Sequence, residues 1–148
     1  MRRSKRLVFA ICVLLYAINV HAETWITATL ASKHINAESK QEEANWGVGI
    51  EQGMAKNWRA VAGMYRNSNR RDSLYFGLSW HPLRLGEWRI GAVGMFVGGY
   101  ETPKHQELVK AVIPVITYEG KRWGLNVPIV PATKDNAGAI GLQAKWKW

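Results

Sequence analysis

The sequence predicts an all-β protein, an eight-stranded antiparallel transmembrane β-barrel of the outer-membrane type, and three observations carry that expectation. The first is the stretch Gly138 to Trp148, where Ile140, Leu142, Ala144, Trp146 and Trp148 alternate with Gly141, Gln143, Lys145 and Lys147. A two-residue period with one apolar face is a strand. A barrel strand of the outer membrane shows lipid-facing residues on one side, lumen-facing polar ones on the other and aromatics at the interface. An edge strand of a soluble sandwich is the competing reading. The second observation is a secretory leader at the other end of the chain. The third is a division of the intervening residues into eight strand-like segments, with tryptophan gathered at one set of their ends.

The leader is read from residues 1–22. Arg2, Arg3, Lys5 and Arg6 precede an apolar run from Leu7 to Val20, and Val20-His21-Ala22 offers small or branched residues for cleavage. The run is shorter than the roughly 20 apolar residues of a helical span, and no later stretch approaches that length. Cys12 follows Ile11 rather than a small residue, so a lipid anchor is not expected. Residues 23–148 then form one domain without cysteine, which excludes disulfides and thiolate sites. Four basic residues leave with the leader, so the formal +9 of the whole chain becomes +5 for residues 23–148. An excess of this size suits anionic lipopolysaccharide and would equally suit nucleic acid; export argues against nucleic acid.

The eight segments are 24–34, 46–54, 58–66, 73–81, 88–99, 109–118, 123–130 and 138–148, near the about 9–11 residues of a tilted membrane strand. An even count places both termini on the periplasmic side. The connections 55–57, 82–87 and 119–122 are then periplasmic turns, and 35–45, 67–72, 100–108 and 131–137 are the outer loops. Trp25, Trp58, Trp80, Trp88, Trp123, Trp146 and Trp148 fall at periplasmic strand ends and Trp46 at an outer one, while Tyr65, Tyr75 and Tyr100 map to outer ends. Two aromatic belts are what a membrane barrel predicts; aromatics opening strands by propensity would look similar.

The fifth and sixth segments are apolar on both parities. In WRIGAVGMFVGG, Ile90, Ala92 and Phe96 oppose Val93, Met95 and Val97, and VKAVIPVI behaves likewise. Gly47, Gly49 and Gly53 share one face of the second segment, and Gly77 faces the same way as Tyr75 and Ser79. Apolar lining with little bulk leaves room inside for a hydrocarbon chain, with Gly77 and Met95 as candidate lining; a solid apolar core is the alternative. Pro114 interrupts the sixth segment, and Pro128 and Pro131 flank the outer end of the seventh. Proline cannot donate to a ladder, so these neighbours are expected to be unpaired over part of their length. Such a break is costly in a bilayer unless it serves as a lateral gate for lipid; plain strand termination before a loop is the alternative, more so at Pro131 than at Pro114.

With these residues in view, the chain resembles the outer-membrane lipid A palmitoyltransferase family of the PagP type. The similarity covers most of residues 23–148 and runs through SKHIN, NWGVGIE, NWRAVAGMYRNS, LSWHPL, RIGAVGMFVGG, AVIPVITYEG, NVPIVPA and the aromatic end. The resemblance implies an eight-stranded barrel that holds one acyl chain in its outer half, opens sideways beside strand prolines such as Pro114 and Pro131, and needs no cofactor. It also implies a catalytic group of His34, Asn67 and Ser68. The family has Asp where this chain has Asn67, and Asn hydrogen-bonds but neither carries charge nor titrates. Asp72-Ser73 could supply a similar pair. A shorter first loop and the lack of an amphipathic helix before the first strand are further departures.

Read alone, His34 is an ordinary loop histidine, beside His81 and His105, and Ser68 in Asn-Ser-Asn is good turn chemistry. The topology lifts them, because the first and third strands end on the same rim, where a base and a hydroxyl could meet over an acyl pocket. Lys33, Arg66, Arg70, Arg71, Lys104 and Lys134 map near that rim and suit the phosphates of lipopolysaccharide, though a solvated loop face would look the same. No metal-ligand spacing, phosphate loop or internal repeat is present. The expected protein is a monomer whose partners are lipid A, phospholipid and the outer membrane, acting as a lipid A acyltransferase. The rivals are a non-enzymatic envelope-stabilising or adhesive barrel and a lipid A deacylase.

Overall fold

Alternation at a two-residue period resolves into eight strands: β1 (Thr24–Ile35), β2 (Gly47–Ala55), β3 (Trp58–Arg66), β4 (Asp72–Leu85), β5 (Trp88–Glu101), β6 (Gln106–Glu119), β7 (Trp123–Val130) and β8 (Gly138–Lys147). The structure is a computed structural model that describes residues 23–35, 44–67, 70–101, 106–132 and 138–148. Each strand pairs antiparallel with its neighbour in sequence, and β1 pairs with β8, so the sheet closes into a barrel. Closure matters because hydrocarbon offers backbone groups no partners. Among the described residues no helix is long and apolar enough to cross a membrane.

Cross-strand partners followed once around the barrel, from Glu119 through Gly124, Lys145, Thr27, Gly49, Gly63, Tyr75 and Val97, return to β6 at Val109. The ten-residue stagger between Glu119 and Val109 tilts the strands, which lets them traverse an apolar band about 25 Å tall. Tight connections at 56–57, 86–87 and 120–122 lie at one end with both ends of the sheet (the turn end), and the longer connections lie at the other (the loop end).

Strand limits differ from the sequence expectation where ladders bulge. β4 runs on to Leu85 through a register shift between Trp80 and Leu83, so most of the turn expected over 82–87 is strand. Gly91 lies opposite, where an added Cβ would meet the backbone of His81 at 2.8 Å. β5 and β6 extend to Glu101 and Gln106, past a shift between Val97 and Tyr100 that passes Gly99 at φ +89°. A left-handed residue of this kind favours glycine.

The outward face carries an aromatic belt at the turn end. Trp58 stacks on Trp80 at 5.9 Å, and Tyr118 lies 5.2 Å from both Trp88 and Trp123. Trp123 in turn pairs with Trp146. Three expected belt residues belong to the lumen instead. Trp25 is only 1% exposed, against 52% for Trp146. Tyr65 and Tyr75 also face inward, 6.0 Å apart. Their strands place them on the parity of buried Thr27, Val61 and Ser73, which position along the chain does not reveal.

Candidate functional site

The lumen divides into two layers. Toward the turn end, Glu51 from β2, Arg59 from β3, Glu119 from β6 and Lys145 from β8 are all buried or nearly so in side chain. Lys145 Nζ donates to Glu51 at 3.0 Å and to Glu119 at 2.7 Å. Arg59 holds Glu119 with both guanidinium nitrogens, one at 2.9 Å, and lies 3.5 Å from Glu51. Arg89 reaches the same Glu119 carboxylate. Three cations thus share two carboxylates across the lumen. Buried charges persist only when paired and hydrogen-bonded.

A chain of polar side chains continues the layer. His81 lies 3.2 Å from Thr117, Thr117 donates to Asn126 at 2.9 Å, Asn126 donates to Glu51 and to Gln143 at 2.8 Å, and Gln143 donates to Thr29 at 3.1 Å. Trp25 closes it from below, with Lys145 Nζ 4.8 Å above its ring. At the mouth a recess of about 220 Å³ is lined by Glu23, Trp25, Arg89, Glu119 and Lys147 among others. Outside the strands, the hydrogen bond from Lys147 holds the Glu23 carboxyl below its ordinary range.

Above this layer the lumen is mixed, with valines beside inward Tyr65, Tyr75 and buried Ser73. Val61, Val93, Val97 and Val115 are buried, and Met95 faces inward beside Gly77. The space opened by glycine is taken by neighbours. A Cβ on Gly63 would meet the Tyr75 hydroxyl at 2.6 Å, and one on Gly77 would meet the Cα of Met95 at 2.7 Å. The small residues therefore admit Tyr75 and Met95 rather than leaving empty room. The lining at these glycines is filled, as the solid-core alternative expected, rather than open for a hydrocarbon chain.

Among the described residues two strands outrun a neighbouring ladder: β1 continues to Ile35 past the last β1–β2 pair, Thr29–Gly47, and β6 continues past the last β6–β7 pair, while residues 36–43 and 133–137 lie outside the described residues. The β6–β7 ladder runs from Glu119–Gly124 to Val115–Pro128 and stops, although β6 continues to Gln106. Ile129 and Val130 pair with β8 alone. Pro128 has no N–H to continue the ladder. Pro114 does not interrupt its strand as expected: β6 runs through it, paired with Ala92 of β5 and exposed on the outward face, and Pro131 is exposed beyond the end of β7. Along the part of β6 beyond that ladder, Ala111 and Ile113 face inward, so this stretch is apolar on its lumen side.

The three residues expected at the rim have different fates. His34 lies on β1 opposite Ala139 of β8, beyond a bulge between Thr29 and Ala31. The bulge leaves Leu30 and Ala31 both exposed and shifts the inward parity to Ser32 and His34. Ser32 donates to Asn45, whose Nδ2 donates to the Arg66 carbonyl at 2.8 Å, tying the His34 end of β1 to the end of β3. Asn67 follows Arg66 and is fully buried. Its Nδ2 donates to Ser73 Oγ at 3.0 Å and to the Gly99 carbonyl at 3.1 Å, and its Oδ1 accepts from the Arg71 amide at 3.1 Å. Asn67 thus fastens the β3–β4 connection to β5. Ser68 and His105 lie outside the described residues. Asp72, on the outward parity opposite Arg66, does not join Ser73, which turns inward to Asn67.

Sequence reasoning missed the ion layer, although its signal was present. Glu51 shares the parity of Gly47, Gly49 and Gly53, and Lys145 that of Gln143, so a carboxylate and an ammonium on lumen faces could have been paired. No group of three or more His, Cys, Asp and Glu residues able to hold a metal occurs among the described residues.

No protein-family profile matches the chain, and no curated protein does. Among solved structures it is similar to the solution NMR structure of the de novo designed TMB2.3, with a TM-score of 0.57 and 13% identity over 86% of this chain and 91% of that one. It is also similar to the backbone structure of the Yersinia pestis outer membrane protein Ail in a phospholipid bilayer nanodisc, with a TM-score of 0.49 and 11% identity over 86% and 100% of the two chains. At 13% identity the likeness to the designed TMB2.3 is one of fold alone.

Proposed function

We propose that residues 23–148 are an outer-membrane barrel, exported by a cleaved leader at 1–22, that moves a palmitoyl-type chain from a phospholipid to lipid A in the outer leaflet. The observation that carries the reading is the end of the β6–β7 ladder at Val115–Pro128, backed by buried Val93, Val97 and Val115. Unpaired backbone in a membrane wall is costly, and lateral entry of an acyl chain gives that cost a use. The ion layer below supplies a floor that a hydrocarbon tail would not cross.

In the transfer, His34 would accept the proton of a lipid A hydroxyl. The freed oxygen would attack the ester carbonyl of the phospholipid, Ser68 would donate to the developing oxyanion, and the ester C–O bond would break. The lysophospholipid alkoxide would leave with the proton carried by His34. Asn67, engaged in three hydrogen bonds, would fix the connection that bears Ser68. The barrel would act as a monomer without cofactor.

A second reading, a non-enzymatic envelope barrel, is favoured by the same Asn67, which is uncharged and structurally committed, and by the Tyr75 side chain over Gly63. The two separate by mass spectrometry of lipid A from an outer-membrane host lacking its own palmitoyltransferase. The transferase gives a palmitoyl-sized gain that disappears in His34→Ala and Ser68→Ala. No gain from verified folded protein selects the non-enzymatic barrel, and a loss of acyl mass selects hydrolysis.

A further inference from the structure

The mouth of the barrel at the turn end carries positive charge that its own carboxylates do not meet. The recess of about 220 Å³ found there takes its lining from the β4–β5 and β6–β7 turns as well as from Trp25 and Glu119. The register shift between Trp80 and Leu83 shapes one side of it. Past that shift Leu83 and Leu85 face outward, 59% and 68% exposed, which puts Arg84 on the inward parity. Arg84 is then the direct cross-strand partner of Arg89, and both line the recess. Like charges opposed across a ladder are destabilising. Arg89 is answered by the Glu119 carboxylate, whereas the Nε of Arg84 donates only to the Gly86 carbonyl, at 3.2 Å.

The carboxylates of the recess are already engaged. Glu119 is shared by Arg59, Arg89 and Lys145, Glu23 pairs with Lys147, and Glu87 accepts from the Tyr118 hydroxyl at 2.6 Å. Arg84 and Lys121, both exposed, have no carboxylate partner among the described residues. A second observation is independent of charge. Trp25 lines the recess and is 1% exposed, and its indole Nε1 is a buried donor that meets no acceptor among the described residues. Leaving such a donor unpaired costs free energy. Cations without a carboxylate and an N–H without an acceptor lack the same thing, a small group that carries both oxygen and negative charge.

We propose that this recess binds a small oxyanion, a phosphate or a carboxylate, with Arg84 and Lys121 supplying charge and Trp25 donating from its indole N–H. An arginine fork suits either group. The site lies at the opposite end of the lumen from His34 and Asn67, so it stands or falls apart from acyl transfer. With an even number of strands this end faces the periplasm, which is where the anion comes from.

The test is a nitrogen–proton NMR titration of the full protein, purified from outer membranes into a non-ionic detergent and followed at the tryptophan indole N–H signals. Sodium phosphate and sodium acetate are added in separate arms at an ionic strength held constant with chloride. The Trp25 signal is identified by its loss in Trp25→Phe. It is expected to move downfield and saturate, with about tenfold weaker affinity in Arg84→Gln and wild-type affinity in Lys56→Gln, a cation of the same end outside the recess. Arg84→Gln is exposed and relieves the opposition to Arg89, so it is expected to fold, checked by heat-dependent gel mobility. Saturation by phosphate alone assigns the site to phosphoryl groups, and saturation by acetate assigns it to carboxylates. A Trp25 signal that stays still in both arms, that moves equally with chloride, or that titrates alike in Arg84→Gln and Lys56→Gln overturns the proposal. Equal movement of the exposed Trp58 and Trp80 indoles does so too.

Discussion

The two halves of the lumen are held by different forces. Toward the turn end, Arg59, Arg89 and Lys145 grip Glu51 and Glu119 through contacts that join five strands, and every partner is specific in place and charge. Toward the loop end the packing is Val61, Val93, Met95, Val97 and Val115, with Tyr75 over glycine and buried Ser73 on the same inward face, where the β6–β7 ladder stops at Val115–Pro128. Ion pairs are directional and leave a costly charge when one member goes. Apolar contacts are non-directional, so one hydrocarbon surface can replace another with little change in energy. The early end of the β6–β7 ladder therefore falls beside the half whose packing is non-directional. The ionic half is built to stay shut.

The largest effect that could break this contrast comes from Glu119. Its removal in Glu119→Ala leaves Arg59, Arg89 and Lys145 with Glu51 as the remaining carboxylate of the layer, and such an uncompensated buried charge costs about 3–5 kcal/mol. Val93→Ala in the apolar half removes two methyl groups, for about 1–2 kcal/mol. Urea unfolding in phospholipid bilayers, followed by tryptophan fluorescence, is expected to show the larger loss for Glu119→Ala. Equal losses would mean that the ionic layer is no more critical than the packing above it.

Much of the architecture was legible in the sequence because alternation and turn chemistry are local. The terminal pattern from Ile140 to Trp146 became β8 with its expected faces, and the two-sided apolar stretch Ile90 to Val97 became a lipid face and a lumen face. Parity failed where the ladder bulges. Counted from Ile26, His34 belongs on the lipid side, and only the extra residue at Leu30–Ala31 turns it inward. Tyr65 and Tyr75 were assigned by position along the strand, which says nothing about the face they take. The role of Asn67 was illegible for another reason: its partners Ser73 and Gly99 sit on other strands, and a long-range hydrogen bond leaves no periodic trace. Of the expected site residues, Gly77 and Met95 meet in the lumen, Pro114 borders the end of the β6–β7 ladder, and Pro131 lies past the end of β7.

Asn67 gives a smaller and sharper perturbation at the loop end. In Asn67→Asp the Oδ1 that accepts from the Arg71 amide is kept, while the Nδ2 donor to Ser73 and Gly99 is replaced by an oxygen. A buried acceptor left without its donor costs about 1–3 kcal/mol. Amide exchange in β4 and β5 near Ser73 and Gly99 is expected to speed up, with the Arg71 amide least affected. Uniform acceleration across the barrel would mean that Asn67 stabilises the whole fold rather than this junction.

The smallest expected effect lies at the turn-end mouth, where Glu23 pairs with Lys147 in partial contact with water. The Lys147 hydrogen bond lowers the folded-state pKa of Glu23 from its ordinary 4.5. The stability it adds is therefore complete above the unfolded value, and it is lost as pH falls through the lowered folded one. At this exposure the pair contributes about 0–1 kcal/mol. Glu23→Gln should unfold slightly earlier than wild type at pH 7, and the two midpoints should converge as the pH is brought below 4.5. A gap that persisted at low pH would show that Glu23 acts through packing against the mouth of the barrel, and the charge-held character of this half would then end at the buried layer.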